Sequence, residues 1–70
     1  MQEEKYNDYT IQSNAYQDEE TDKWVPQAKI LRADQNEEEY PLTWEREFDT
    51  REEAESFAMQ SAQFYIENHF

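Results

Sequence analysis

Phe48-Asp49-Thr50-Arg51-Glu52-Glu53-Ala54-Glu55-Ser56-Phe57-Ala58-Met59-Gln60-Ser61-Ala62-Gln63-Phe64-Tyr65-Ile66, residues 48–66, carries the pattern from which the fold is read. Thr50 stands three residues before Glu53, the spacing of a capping box, in which hydroxyl and carboxylate each satisfy a free backbone N–H. Asp49, Glu52, Glu53 and Glu55 add negative charge at the positive end of the helix dipole. From there Ala54, Phe57, Ala58, Ser61, Ala62, Tyr65 and Ile66 recur at steps of three and four, while Glu52, Glu55, Ser56, Gln60, Gln63 and Glu67 fall elsewhere. Alanine and serine in such a stripe let a helix axis approach its neighbour closely. The pattern predicts a helix that lies on strands.

Upstream, the period changes to two. Tyr40 to Phe48 reads as a strand with Tyr40, Leu42, Trp44 and Phe48 inward, interrupted by Arg46, and with Thr43, Glu45 and Glu47 outward. Trp24 to Arg32 reads as another, with Trp24, Ala28 and Ile30 on one face and Val25, Gln27, Lys29 and Leu31 on the other. Pro26 has no N–H for a ladder, so it must sit near the strand's start, at a bulge, or on an unpaired side. Tyr9 to Tyr16 reads as a third, with Tyr9, Ile11, Ser13 and Ala15 on one side. Acidic connectors, 17–23 and 33–39, join them. With no glycine in the chain, Asp34 or Asn36 are the expected left-handed positions.

These elements predict an α+β domain: a three-stranded antiparallel meander with one C-terminal helix packed on one face, β-β-β-α. Residues 1–70 form one domain, with residues 1–5 expected to be flexible. The predicted core draws Tyr9, Ile11, Ala15, Trp24, Ala28, Ile30, Leu42, Trp44 and Phe48 from the strands and the helical stripe without Ser61. Met59, Phe64 and Phe70 fall off that stripe. Phe64 is expected to cap the core edge, the alternative being a self-association patch with Phe70.

Composition narrows the function. With 18 acidic residues against 6 basic, the net charge of −12 repels phosphate backbones and anionic lipid. That excludes direct nucleic-acid binding and membrane docking as first readings. High charge at low hydrophobicity also marks disordered chains, but a 16% aromatic content and ordered periodicity oppose that reading here. The absence of cysteine excludes disulfides and thiolate metal sites and fits a cytoplasmic location. The N-terminus lacks the features of a signal peptide, and no apolar run reaches membrane-spanning length.

The Phe48-Asp49-Thr50-Arg51-Glu52-Glu53-Ala54 segment resembles the F-D-T-x-E-E-A strand-to-helix element of small uncharacterised bacterial domains. The start of the second strand, Trp24-Val25-Pro26, and the helix end from Ala62 to Ile66 look like the same group. The resemblance covers about Tyr9 to Ile66 and implies a β-β-β-α fold without an established function. The element order also resembles the double-stranded-RNA-binding fold. Here, however, that family's N-terminal helix is missing and the helix start is acidic where the family needs lysines.

No constellation points to catalysis. Acid–base work needs a carboxylate whose pKa is shifted by burial or a close partner, and nearly all of the chain's carboxylates lie in polar connectors or on the outward side of the helix. His69 is the sole histidine, and Asp18-Glu19-Glu20-Thr21-Asp22 lacks the glycine and spacing of a calcium loop. No catalytic residue, cofactor or metal is therefore assigned. What stands out is the sheet face away from the helix, where Tyr16, Val25 and Leu31 sit among polar residues. The chain is read as a non-enzymatic, acidic, protein-binding accessory domain. Tyr16, Val25, Lys29, Leu31 and Glu45 are its candidate contact residues, for a protein partner that carries positive charge; a homodimer stays open. The alternative is a nucleic-acid mimic that occupies the basic groove of a DNA- or RNA-handling protein.

Overall fold

The computed structural model describes residues 2–32 and 35–69, residues 35–38 by their backbone alone. Four strands, β1 (Gln2–Tyr6), β2 (Tyr9–Gln17), β3 (Trp24–Arg32) and β4 (Gln35–Thr43), precede one helix, α1 (Arg51–His69). The sheet is antiparallel throughout, in the order β1-β2-β3-β4. The meander and its C-terminal helix are as expected, but the strands number four rather than three.

The added strand is β1. It pairs from Gln2 opposite Ser13 to Tyr6 opposite Tyr9, leaving Asn7 and Asp8 as a two-residue turn. Asn7 takes φ 56°, a left-handed value that asparagine tolerates because its short polar side chain bonds locally. Asp22, φ 60°, is the other positive-φ position among the described residues. Neither is a predicted one: Asn36 lies within β4, and Asp34 lies outside the described residues.

The last strand also shifts from its expected bounds. It starts at Gln35, inside the predicted connector, and ends at Thr43, so Trp44 to Glu47 leave the sheet. Phe48 returns to form an isolated antiparallel bridge with Trp24. Pro26 explains the break. Trp24 and Phe48 bond to each other through their backbones, so by alternation Pro26 also turns its backbone toward the β4 side, where it has no N–H to offer. The ladder fails there and the chain departs. By the same parity Pro41, opposite Lys29, turns its nitrogen to the free outer edge of β4, where no donor is needed.

Helix α1 lies across β2 and β3. Ile11, Ser13 and Ala15 face Ile30, Ala28 and Pro26 across the register, and all six are buried. Against them pack Ala54, Ala58, Met59, Ala62 and Ile66. The alanine column fits as predicted, but the buried side of the helix is turned toward Glu55 and Met59. Phe57 and Ser61 move to its flank, half-buried, and Phe64, expected to cap the core, is 66% exposed. An aromatic cluster draws Phe57 aside: its ring meets Trp44 edge-on at 5.7 Å and Phe48 at 5.1 Å, with the Arg46 guanidinium 5.1 Å from its centroid.

The cap forms in part as predicted. Thr50 Oγ1 accepts the Glu53 N–H at 3.2 Å, but the Glu53 carboxylate accepts from the Thr50 hydroxyl, at 3.1 Å, instead of from its N–H.

Candidate functional site

The sheet has one face under α1 and one with no described element over it. Alternation along the strands assigns the open face: Thr10, Gln12, Asn14 and Tyr16 on β2, Val25, Gln27, Lys29 and Leu31 on β3, Pro41 and Thr43 on β4. A shallow groove of about 340 Å³ runs along it, lined by Gln12, Asn14, Gln27, Lys29, Pro41 and Thr43, with Ala28 and Leu42 in its floor. Three of its side chains end in amides, which donate and accept at once. Lys29 Nζ stands 3.5 Å from the Glu39 carboxylate, and Gln12 donates to Glu3 at 2.8 Å.

Where Trp44 to Glu47 leave the sheet, a second hollow of about 470 Å³ opens among Tyr16, Val25, Thr43, Glu45 and Glu47. Tyr16 and Val25 are directly opposite in register, and Tyr16 is 48% exposed. The structure thus brings Tyr16, Val25 and Glu45 together and puts Lys29 in the adjoining groove. Leu31 shares the face but lies at its far end, opposite Thr10 and Glu39. Strand parity puts Gln12 and Gln27 on this face from the sequence alone; what it did not show is that they, with Asn14, wall a groove.

The acidic rim has its own architecture. The β2–β3 hairpin carries Asp18, Glu19, Glu20 and Asp22, and its Thr21 hydroxyl donates to Glu47 at 2.7 Å. Lys23 pairs with Asp49; hydrogen bonding and charge hold the Asp49 carboxyl below, and the Lys23 ammonium above, their ordinary ranges. With the Trp24–Phe48 bridge, these contacts gather the hairpin, the 45–49 segment and the acidic first turn of α1 at one end of the sheet. The run 18–22 is itself a turn: Asp18 accepts the Glu20 N–H at 2.8 Å, and its backbone oxygen accepts the Asp22 N–H at 2.8 Å.

One carboxylate lies apart from this rim. Glu55, expected on the outward side, is buried at 6% exposure. Burial alone would raise its pKa, but hydrogen bonds, Arg51 Nε at 3.0 Å among them, hold it below the ordinary carboxylate range. Arg51 also reaches Asn14 Oδ1 at 3.4 Å, where β2 runs on past the end of β1. This is ion pairing that anchors a helix. Among the described residues no group of three or more His, Asp or Glu side chains is placed to hold a metal ion. No described helix is long and apolar enough to cross a membrane.

A four-stranded antiparallel meander with a single packed helix and one uncovered, mixed-polarity sheet face defines a small α+β domain of the β-β-β-β-α kind. The chain belongs to the family described as a domain of unknown function (DUF6566), whose model matches residues 1–70. Neither the curated proteins nor the solved structures contain a match to it.

Proposed function

We propose that this chain is a non-enzymatic binding domain whose open sheet face receives a protein partner, and whose acidic rim selects partners that carry positive charge. One observation carries the reading. The face opposite α1 has no described element over it, yet it holds Tyr16, Val25 and Leu31 together with an amide-lined groove, apolar side chains ringed by polar ones as at a docking surface. The field of a net charge of −12 steers a basic partner toward that end of the sheet and repels nucleic acid and anionic membrane. A cytoplasmic location is part of the proposal, supported by the absence of cysteine.

The test is the double substitution Val25→Asp, Leu31→Asp. Proteins captured by the wild-type chain in its native cell are purified and titrated against both forms. Loss of binding with an unchanged far-UV spectrum supports the assignment. If every captured complex survives the substitution, this face is not the interface.

A second reading rests on the gathered rim. Carboxylates from the hairpin, from Glu45, Glu47 and Asp49, and from Glu52 and Glu53 meet at one end, as a mimic of a phosphate row would require. Lys23, Arg46 and Arg51 interrupt them, however. A mimic would bind a basic-grooved DNA- or RNA-handling protein with an affinity that falls steeply as salt rises. Salt-independent affinity would count against it.

A further inference from the structure

The flank of α1 opposes the chain's general character. From Ser56 to Ile66 no charged residue occurs, in a chain that is 34% charged. Near the C-terminal end of this run stands Phe64, 66% exposed. Its ring forms one edge of a groove of about 340 Å³ between the helix and Trp44, whose other lining residues are Phe57, Gln60, Ser61, Tyr65 and His69. Tyr65 and His69 stack at 4.3 Å, and Trp44 meets Phe57 edge-on, so the walls are aromatic and already ordered against each other. An exposed ring at the edge of an aromatic groove, with no carboxylate in its lining and Arg46 stacked over Phe57 as the nearby cation, is a surface suited to contact.

We propose that a second copy of this chain covers the flank, packed antiparallel about a two-fold axis near Gln60 and Ser61, each Phe64 entering the other copy's groove. Two features single out a second copy. The first is self-complementarity. A two-fold interface needs knob and hole on one surface, so that residue i meets j while j meets i. Phe57 and Phe64 are two helical turns apart with Gln60 and Ser61 midway, so a two-fold at the midpoint sets each Phe64 over the partner's Phe57 and Trp44. Ser61 at the axis is small enough for close approach.

The second feature is charge. Two chains of net charge −12 repel, and they meet with least repulsion where carboxylates are absent. At the ends of the flank the same symmetry brings Glu53 of one copy toward Glu67 of the other. Dimerisation should therefore strengthen as salt rises, opposite in sign to capture of a basic partner. The flank runs about 16 Å along the helix, short of a standard interface, so the dimer is weak and concentration-dependent.

Sedimentation velocity over a rising series of chain concentrations, at low and moderate salt, tests this. The expected result is a dimer fraction that grows with both concentration and salt. Phe64→Ser, at an exposed position, should raise the dissociation constant at least about tenfold without changing the melting temperature. Gln60→Glu, which sets two like charges at the axis, should weaken association in the same direction. A monomer at every concentration and salt, a dimer unmoved by Phe64→Ser, or one that dissociates as salt rises would overturn the proposal.

Discussion

Trp24 and Phe48 exchange backbone hydrogen bonds in both directions, at 2.8 and 2.9 Å, although four residues that belong to no strand separate Phe48 from the end of β4. This single bridge sets the chain's direction just before α1 begins. It aligns the helix start with the sheet and leaves the Phe48 ring against Phe57. Lys23–Asp49 and Thr21–Glu47 repeat the tie on either side of it. The helix is therefore held to the sheet at its entry as well as along its alanine face.

Phe48→Ala should consequently do more than remove a half-buried ring. It opens the cluster of Trp44, Phe57 and Arg46, and we expect a loss of about 2–3 kcal/mol in urea unfolding. Trp44 and Trp24 fluorescence should report the change. A loss below about 0.5 kcal/mol would mean that the backbone bridge alone orders the 44–48 segment.

Ser13 offers the opposite sign. Its hydroxyl is wholly buried opposite Ala28 and has no hydrogen-bond partner among the described residues. A buried hydroxyl without a partner keeps its desolvation penalty, about 1–3 kcal/mol. Ser13→Ala removes that group and leaves only a small void, so we expect stability to rise by about 1 kcal/mol. An increase in melting temperature of several degrees is the measurement for a domain of this size. A fall would show that the hydroxyl finds a partner in solution.

The net charge of −12 predicts how the fold responds to salt. Hairpin, 45–49 segment and helix start crowd like charges at one end of the sheet, and only the compact state holds them there. Screening relieves that repulsion, so the melting temperature should rise by a few degrees between low and moderate salt. A flat response would mean that Lys23, Arg46 and Arg51 already neutralise the crowding.

The helix, the meander and the two faces of the sheet were legible because each rests on a periodicity that burial enforces. β1 was not. Gln2-Glu3-Glu4-Lys5-Tyr6 is a short edge strand with charges on both faces, so no alternation marks it; only Asn7-Asp8 between flanking tyrosines announced its hairpin. The end of β4 was hidden for another reason. Tyr40, Leu42 and Trp44 keep parity across the point where the ladder stops, and the cause, Pro26, sits on the neighbouring strand. Of the candidate site, the face was readable from parity. The hollow that joins Tyr16, Val25 and Glu45 was not, because it exists only where the 44–47 segment departs.

Glu55 was misplaced because a carboxylate normally avoids burial; positively charged hydrogen-bond donors, Arg51 one turn earlier among them, offset that cost, and the site makes a pH prediction. The folded-state pKa of Glu55 lies below its unfolded value, because hydrogen bonding outweighs the burial that would raise it. Its contribution is therefore complete above the unfolded pKa, about 4.3, and is lost as pH falls through the lower folded value. Glu55→Gln abolishes that titration. At pH 7 we expect the variant to be less stable by about 1 kcal/mol, since the half-exposed Arg51 is partly screened by solvent. Protonating the remaining carboxylates relieves repulsion in both proteins alike, so the informative quantity is the difference between their urea midpoints. That difference should be constant from pH 7 to about 5 and should shrink as the pH is lowered further. A difference that stays the same down to pH 3 would show that Glu55 is held by packing and not by its charge.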